Sequence, residues 1–475
     1  MTRAAGSLLS GLLVFGCARP DGGSAPAAQP AAVPAEPEAE APAVEAPPRA
    51  PRTTPVDNDR ARAAHLAAQT ALDGQPLSDN ALVHFVPADG GSKTPAPLSA
   101  FHDALRGLKA DPDGEAKVRV AFYGASSVAA DRYTGYLRHY LQARFGDAGP
   151  GFVALVPLWR WHRHGAVRVT ASKHWQIEHA QRKTGKLDGR YGLLGASAHS
   201  GNKRARAELK AKKATTDISS VEVWYLAQPD GGTAALEVMG EAFVLDTKAA
   251  EPGPAYFAAT GIESGRATVK LRPKGDGEVR LFGAVLERDQ TGVVVDALGI
   301  GGTRAANAVL WDEAMWRDNL QRRAPQLWVL AYGANESVDE DEPIELYRKN
   351  LVEVIARLQR AAPEASCLLV GPVDFSLKVE PDEASEGGEP TWVERPRCTE
   401  IIEIQRELAA QSGCAFFDAK AMMGGADSMD AWATAEPPLA KPDHLHFTPL
   451  GYSHLGRVLS DAVMADFDDP PPTTP

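Results

Sequence analysis

From Ala116 onward the chain alternates short apolar, β-branched runs with segments of helical periodicity, and few architectures accommodate that alternation. Val118 to Tyr123 reads as a strand, followed by a helix with Tyr133, Tyr136, Leu137, Tyr140 and Leu141 on one face. Val293 to Leu298 reads as a second strand leading into a helical stretch from Arg304 to Arg322. Leu327 to Tyr332 is a third, followed by a helix whose stripe is Ile344, Tyr347, Leu351, Ile355 and Leu358. Cys367 to Val370 and Ala415 to Phe417 complete the set. The helix between them, about Thr399 to Gln411, should stop at Gly413, and a last helix should start at Thr448-Pro449. Strands this uniformly apolar are buried on both faces, which predicts a five-stranded parallel sheet with right-handed crossovers.

Between Pro150 and Gln290 the rhythm changes. Val221 to Ala227, Ala234 to Val238, Ala242 to Leu245, Thr268 to Leu271 and Glu278 to Leu286 are short alternating segments punctuated by Gly, Pro and Asp. They predict an inserted β-sandwich over residues 151–290, with the α/β domain on either side, 57–150 and 291–467. A glycan-binding module and a structural platform are equally compatible with such an insert. Trp159, Trp161, Trp175 and Trp224 are candidates for stacking on sugars, though core or interface packing is the commoner role for each taken singly.

At the N-terminus, Arg3 precedes an apolar stretch from Ala4 to Phe15 that is too short to span a bilayer and has the shape of a secretory signal. Val14-Phe15-Gly16-Cys17 resembles a bacterial lipobox, so residues 1–16 read as a lipoprotein signal peptide and Cys17 as the lipidated residue. Ala18 is compatible with sorting to an outer membrane. The expected location is a periplasm-facing lipoprotein, touching the membrane through its lipid alone. Residues 17–56 are rich in Ala and Pro and too poor in apolar surface to pack, which suits a tether, and 468–475 is a polar tail. No run of about 18 apolar residues suggests an integral membrane transporter. Fifty basic against 62 acidic side chains, the basic ones scattered, argue against a nucleic-acid partner.

Reactive groups in open α/β sheets gather where strands end and helices begin. Four segments lie at such places: Gly124-Ala125-Ser126-Ser127, Gly299-Ile300-Gly301-Gly302, Gly333-Ala334-Asn335-Glu336 and Asp443-His444-Leu445-His446. Singly each is a weak signal. Together they meet the needs of acyl transfer. A serine hydroxyl is a poor nucleophile until a histidine takes its proton, and that imidazole needs a carboxylate to fix its tautomer. Ser126 would attack, His446 would act as base and then acid, and Asp443 would orient it. The amides of Ser126 and Gly302 and the side chain of Asn335 would form the oxyanion hole. No nucleotide fingerprint appears, His444 and His446 lack a matching ligand cluster, and no cofactor or metal is expected. His162 and His164 read as solvated or packed residues.

These four blocks, in this order, resemble the SGNH (GDSL-like) hydrolase family, whose serine, glycine, asparagine and histidine match Ser126, Gly302, Asn335 and His446. The resemblance covers about Val118 to Asp131 and Gly292 to Leu459 and implies a flavodoxin-like α/β/α sandwich. An insert between the first two blocks, and the stretch Tyr140 to Val153, are similar to bacterial peptidoglycan O-acetylesterases. The implied activity is hydrolysis of O-acetyl esters on an acetylated polysaccharide or peptidoglycan. An O-acetyltransferase using the same serine, and a non-catalytic glycan-binding protein on a hydrolase scaffold, remain open alternatives. The first block departs from Gly-Asp-Ser in having Ala125 at its centre, which puts the turn and electrostatics beside the nucleophile in question. In the implied strand order Cys367 and Cys414 begin neighbouring strands, where an oxidising compartment would permit a disulfide, leaving Cys398 free. The acidic loop from Val379 to Pro396, carrying Trp392, follows the fourth strand and reads equally well as a flap or as a surface insertion.

Overall fold

The computed structural model describes residues 53–55, 59–72, 83–85, 97–379 and 391–468. The signal sequence, Cys17 and the C-terminal tail lie outside the described residues. Thr53–Pro55, within the stretch read as tether, pairs antiparallel with Val83–Phe85.

Five parallel strands form the central sheet, in the spatial order Gly292–Gly299, Lys117–Gly124, Leu327–Ala331, Ser366–Val370, Ala415–Phe417. Counted along the chain, that order is 2-1-3-4-5, the doubly wound flavodoxin-like arrangement. Alternate side chains serve two separate cores. Val118, Val120 and Phe122 face a layer built from Ser99–Ala110, Tyr133–Phe145 and Pro449–Asp468. Ala121 and Tyr123 face Glu313–Arg323, Ile344–Ala361 and Pro396–Ser412. Burial on both sides explains why these strands read as continuous apolar runs rather than alternating ones.

Three local features differ from the sequence reading. The helical stretch after the second strand is two helices, Ala305–Val309 and Glu313–Arg323, because Asp312 caps the second by accepting from the Met315 amide at 2.9 Å. The fourth crossover helix begins earlier, with Pro396 in its first turn. An additional helix, Asp59–Ala71, packs through Ala61, Ala64 and Ala68, whose small side chains give little periodic signal.

From Gly151 to Glu287 the chain builds two antiparallel sheets. Five strands, ending at Glu241–Asp246 on one edge and Val167–Ala171 on the other, face six strands that include Ser220–Ala227 and Val279–Glu287. Leu209, Leu236, Val223 and Leu281 fill the space between them. Val279–Glu287 is buried at every position. Its Leu281, Ala284 and Leu286 enter the sandwich core, whereas Phe282 and Val285 join Tyr123, Trp316 and Trp328 of the α/β part. Trp224 and Trp175 are packing residues, buried at 1% and 8% exposure, whereas Trp161 is 58% exposed. The six-stranded sheet is thus packed on the α/β domain through its outer face.

Cys367 and Cys414 form a disulfide, at Cα–Cα 4.7 Å across the start of two neighbouring strands. Cys398 is free and buried; burial pushes its thiol up to about 12, and it donates to the Val373 carbonyl at 3.4 Å.

Candidate active site

The nucleophile candidate opens the short helix Ser126–Ala129, two residues past the end of the first strand. Gly124 makes the sharp turn feasible, because a Cβ there would lie 2.3 Å from Val128 Cγ2. Ala125 is nearly buried, and the turn closes on backbone bonds alone, from Ala129 N to the Ala125 carbonyl and from Ala130 N to the Ser126 carbonyl, each 3.0 Å. The turn therefore forms with no side chain at position 125 to bridge it. As the first residue of a helix, Ser126 has an amide with no intrahelical acceptor.

Across the sheet edge, a loop held by Lys441 N to the His446 carbonyl (2.8 Å) and Thr448 N to the Leu439 carbonyl (2.9 Å) presents His446. Its Nε2 lies 3.4 Å from Ser126 Oγ, and its Nδ1 lies 2.9 Å from Asp443 Oδ2. Asp443 Oδ1 accepts the His446 and Leu445 amides at 2.9 and 3.1 Å. Partial burial pushes the Asp443 carboxyl up, but these backbone bonds and the His446 side chain outweigh it and hold the group below its ordinary value. The carboxylate is ionised at neutral pH, as an imidazole-orienting group must be.

Gly302 and Asn335 come from the loops that end the second and third strands, on either side of the serine strand. Gly302 has φ of +75°, a conformation side chains resist, and Asn335 Nδ2 donates to the Thr303 carbonyl at 3.0 Å. One of the two amide hydrogens of Asn335 is thereby used for orientation, leaving the other for a ligand. Ile300 N donates to the Gly124 carbonyl at 3.1 Å, which ties the glycine loop to the serine turn.

Three positioning elements escaped the sequence reading. Glu336, nearly buried, accepts Gly333 N at 3.0 Å and Ala305 N at 2.8 Å, clamping the asparagine loop to the glycine loop. Burial raises its carboxyl above the ordinary value. Gln181, from the β insert, donates to Thr303 Oγ1 at 2.7 Å, so the insert braces the residue that orients Asn335. Trp159, also from the insert, lies on Gly301 so closely that a Cβ there would sit 0.8 Å from its ring. Neither residue could have been found from spacing, since each is more than a hundred residues from its partner in the chain.

His444 does not join His446. It is buried, with a left-handed φ of +48°, and stacks on Trp392 with ring centres 3.8 Å apart and planes 6° from parallel. Trp392 belongs to the hairpin of Ser376–Val379 with Thr391–Glu394. The hairpin thus anchors the loop that carries Asp443 and His446; residues 380–390 lie outside the described residues. A stack of this kind contributes about 0.5–1.5 kcal/mol. Trp392→Ala is expected to lower kcat by roughly two- to tenfold with KM nearly unchanged, and Trp392→Phe to restore most of it. An unchanged kcat for Trp392→Ala would show that the loop holds itself.

Residues 265–454 match the GDSL-like Lipase/Acylhydrolase family model. This region is similar to GDSL-like lipases and acylhydrolases. The match begins within the β insert and does not reach Ser126, so the serine is placed by geometry. Among solved structures, a peptidoglycan O-acetylesterase superposes with a TM-score of 0.64 at 23% identity, over 80% of this chain and 98% of that one. The shared fold therefore spans nearly all of that protein. An acetyl xylan esterase (TM-score 0.26, 20% identity, 36% of this chain and 80% of that one) is more distant. So is a family two carbohydrate esterase from Cellvibrio japonicus (TM-score 0.25, 11% identity, 64% and 98%). No curated protein matches the chain.

Proposed function

We propose that this protein is a serine esterase that removes acetyl groups from an envelope glycan such as peptidoglycan. The observation that carries the reading is the unbroken line Ser126 Oγ, His446 Nε2, His446 Nδ1, Asp443 Oδ2. In this mechanism Ser126 Oγ attacks the ester carbonyl carbon while His446 Nε2 takes its proton. The amides of Ser126 and Gly302 and the free Asn335 N–H receive the developing oxyanion. Collapse breaks the bond to the sugar oxygen, which takes the proton back from His446, leaving acetyl-Ser126. Water, giving a proton to His446 Nε2, then attacks the acyl carbon; collapse breaks the bond to Ser126 Oγ, which takes that proton from His446, and acetate leaves.

The size of the acyl group is suggested by the pocket beside the nucleophile. It holds about 70 Å³ and is lined by Ser126, Ala334, Pro372, His446 and Phe447 among others. That is the share of about two water molecules in the liquid, room for a short acyl chain. The glycan is suggested by the fold shared with a peptidoglycan O-acetylesterase. Lipidation at Cys17 and a periplasm-facing position at the outer membrane belong to the same proposal and rest on the lipobox-like segment.

A p-nitrophenyl ester series and O-acetylated peptidoglycan test the proposal. The expected kcat/KM for the acetate exceeds that for the octanoate by at least about tenfold, since the longer chain would have to leave the small pocket beside the serine for solvent. Acetate should appear from O-acetylated peptidoglycan. Equal rates along the series, or no acetate from any acetylated glycan, would overturn it; transfer of acetyl to an added glycan acceptor in preference to water would reassign the site as an acetyltransferase.

A further inference from the structure

The chain carries a formal charge of −12, yet its insert holds a cleft of about 820 Å³ lined by Arg163, Arg168, Lys210, Lys212, Lys213 and Arg266, with no Asp or Glu in the lining. Among the described residues none of the six makes an ion pair. The guanidinium of Arg163 donates only to the carbonyls of Arg160 and His162, and Arg266 Nε to the carbonyl of Ala211. These bonds hold the side chains in place and leave their charge uncompensated. His162 and His164 also line the cleft. Burial holds them down at about 4 and about 3, so they stay neutral at physiological pH.

Arg168 and Lys210 stand directly opposite each other in the antiparallel ladder of Val167–Ala171 with Ala207–Ala211. Like charges in that relation destabilise a sheet. Elsewhere on the same sheet charges are matched: Lys270 lies opposite Glu208 and pairs with Glu237 at 2.7 Å. Charged residues often protect an exposed sheet edge, and Val167–Ala171 is an edge strand. That explains Arg168 but not Lys210, which is on the interior strand, nor Lys212, Lys213 and Arg266 beyond it. Local repulsion that serves no fold requirement marks a ligand site.

The cleft is joined to the catalytic turn. Arg163 N donates to the Ala129 carbonyl at 3.1 Å, and Gly165 N to Asp131 Oδ2 at 2.6 Å, directly after the helix that Ser126 opens. Asp131 is itself locked by the buried Arg138 at 2.7 and 2.9 Å. The cleft wall and the nucleophile therefore share one rigid support.

We propose that this cleft binds the carboxylates of an anionic glycan, so that the acetylated strand is gripped by its negative groups beside the serine. The proposal rests on the glycan esterase reading for the identity of the ligand. The full chain and the variant Arg168→Glu/Lys210→Glu/Lys212→Glu would be titrated at low salt with de-O-acetylated muropeptides that carry their stem peptides, with polygalacturonate, and with neutral chitohexaose. Hydrolysis of p-nitrophenyl acetate, which is too small and uncharged to use the cleft, would be followed in parallel.

The expected result is a loss of at least about tenfold in affinity for the carboxylated ligands, a wild-type affinity that falls with added salt, and unchanged p-nitrophenyl acetate turnover. Tighter binding of muropeptides would place the carboxylates on peptide stems, and of polygalacturonate on the sugar ring. Unchanged affinity in the variant would overturn the proposal, as would an equal loss for chitohexaose or tighter binding of a phosphodiester polymer than of either carboxylated ligand. The variant keeps like charges at the facing positions 168 and 210, now both negative, so it should melt close to wild type. If it does melt lower, Lys210→Gln/Lys212→Gln should show the same affinity change at smaller size. Failure of the wild type to hydrolyse p-nitrophenyl acetate would count against the esterase reading alone, because the carboxylate titrations stand without turnover.

Discussion

Ser126→Ala is expected to lower acetate release by roughly 10⁴- to 10⁶-fold, the scale on which removing a triad nucleophile acts elsewhere. The size follows from what remains. Without Oγ there is no acyl intermediate, and the Ser126 amide, Gly302 and Asn335 would only polarise an ester attacked by water. Water in that position is not held 3.4 Å from His446 Nε2 as the hydroxyl is. His446→Ala should be nearly as damaging, and the double variant little worse than either single one, because the two groups act as a unit. The fold should be untouched, since among the described residues Ser126 Oγ has no hydrogen-bond partner other than His446. The measurement is kcat/KM for p-nitrophenyl acetate with a serine-directed organophosphonate as a second readout. Retention of more than about 1% of wild-type activity, or phosphonylation at a different serine, would remove Ser126 from the mechanism.

Arg323→Ala should produce the largest loss of stability. The guanidinium, 3% exposed at the end of Glu313–Arg323, donates to Asp296 Oδ2 at 2.6 Å and Oδ1 at 3.1 Å, and to Glu287 Oε1 at 2.6 Å. Asp296 also accepts the Phe152 amide at 2.7 Å, and Glu287 is held by Arg119 through two bonds of 2.9 Å. Phe152 and Glu287 belong to the double-sheet insert, Asp296 and Arg323 to the α/β domain. The cluster is therefore the polar pin of the joint between them. Removing the arginine strands a fully buried Asp296 without a countercharge, which costs about 3–5 kcal/mol.

The same cluster sets a pH dependence. Burial pushes the Glu287 carboxyl up, but Arg323 and Arg119 outweigh it and hold the group well below the ordinary carboxylate range. A group depressed in the folded state adds stability that is complete above its unfolded pKa and is lost as pH falls through the folded one. Wild type should thus resist acid to well below pH 4, and Arg323→Ala, in which the depression is smaller, should begin to unfold at a higher pH. Urea melts across that range measure both effects. A loss below about 1 kcal/mol would mean that Arg119 and Lys117, the latter 3.3 Å from Glu287, suffice to hold the joint.

The primary structure alone determines the five strands of the central sheet, their alternation with helices, and the four turns that bear the reactive groups. Each depends on local matters: apolar runs such as Leu327–Ala331, a glycine at a turn such as Gly124, a helix stop at Gly413. Short polar strands such as Gln176–His179 and Ala196–Ser200 carried no such signal, because their pairing partners and not their own residues decide that they are extended. The helix Asp59–Ala71 was equally hidden behind alanines.

What only the tertiary structure decided is which distant residues meet. Trp159 covers Gly301, Gln181 holds Thr303 beside Asn335, Trp392 stacks on His444, and Arg163 is bonded to the end of the nucleophile's helix. Periodicity and turn chemistry act over a few residues, whereas these contacts join segments separated by tens to hundreds. They arise because Val279–Glu287 has two apolar faces, one for its own sandwich and one for the α/β domain, and burying both brings the insert against the catalytic edge of the sheet.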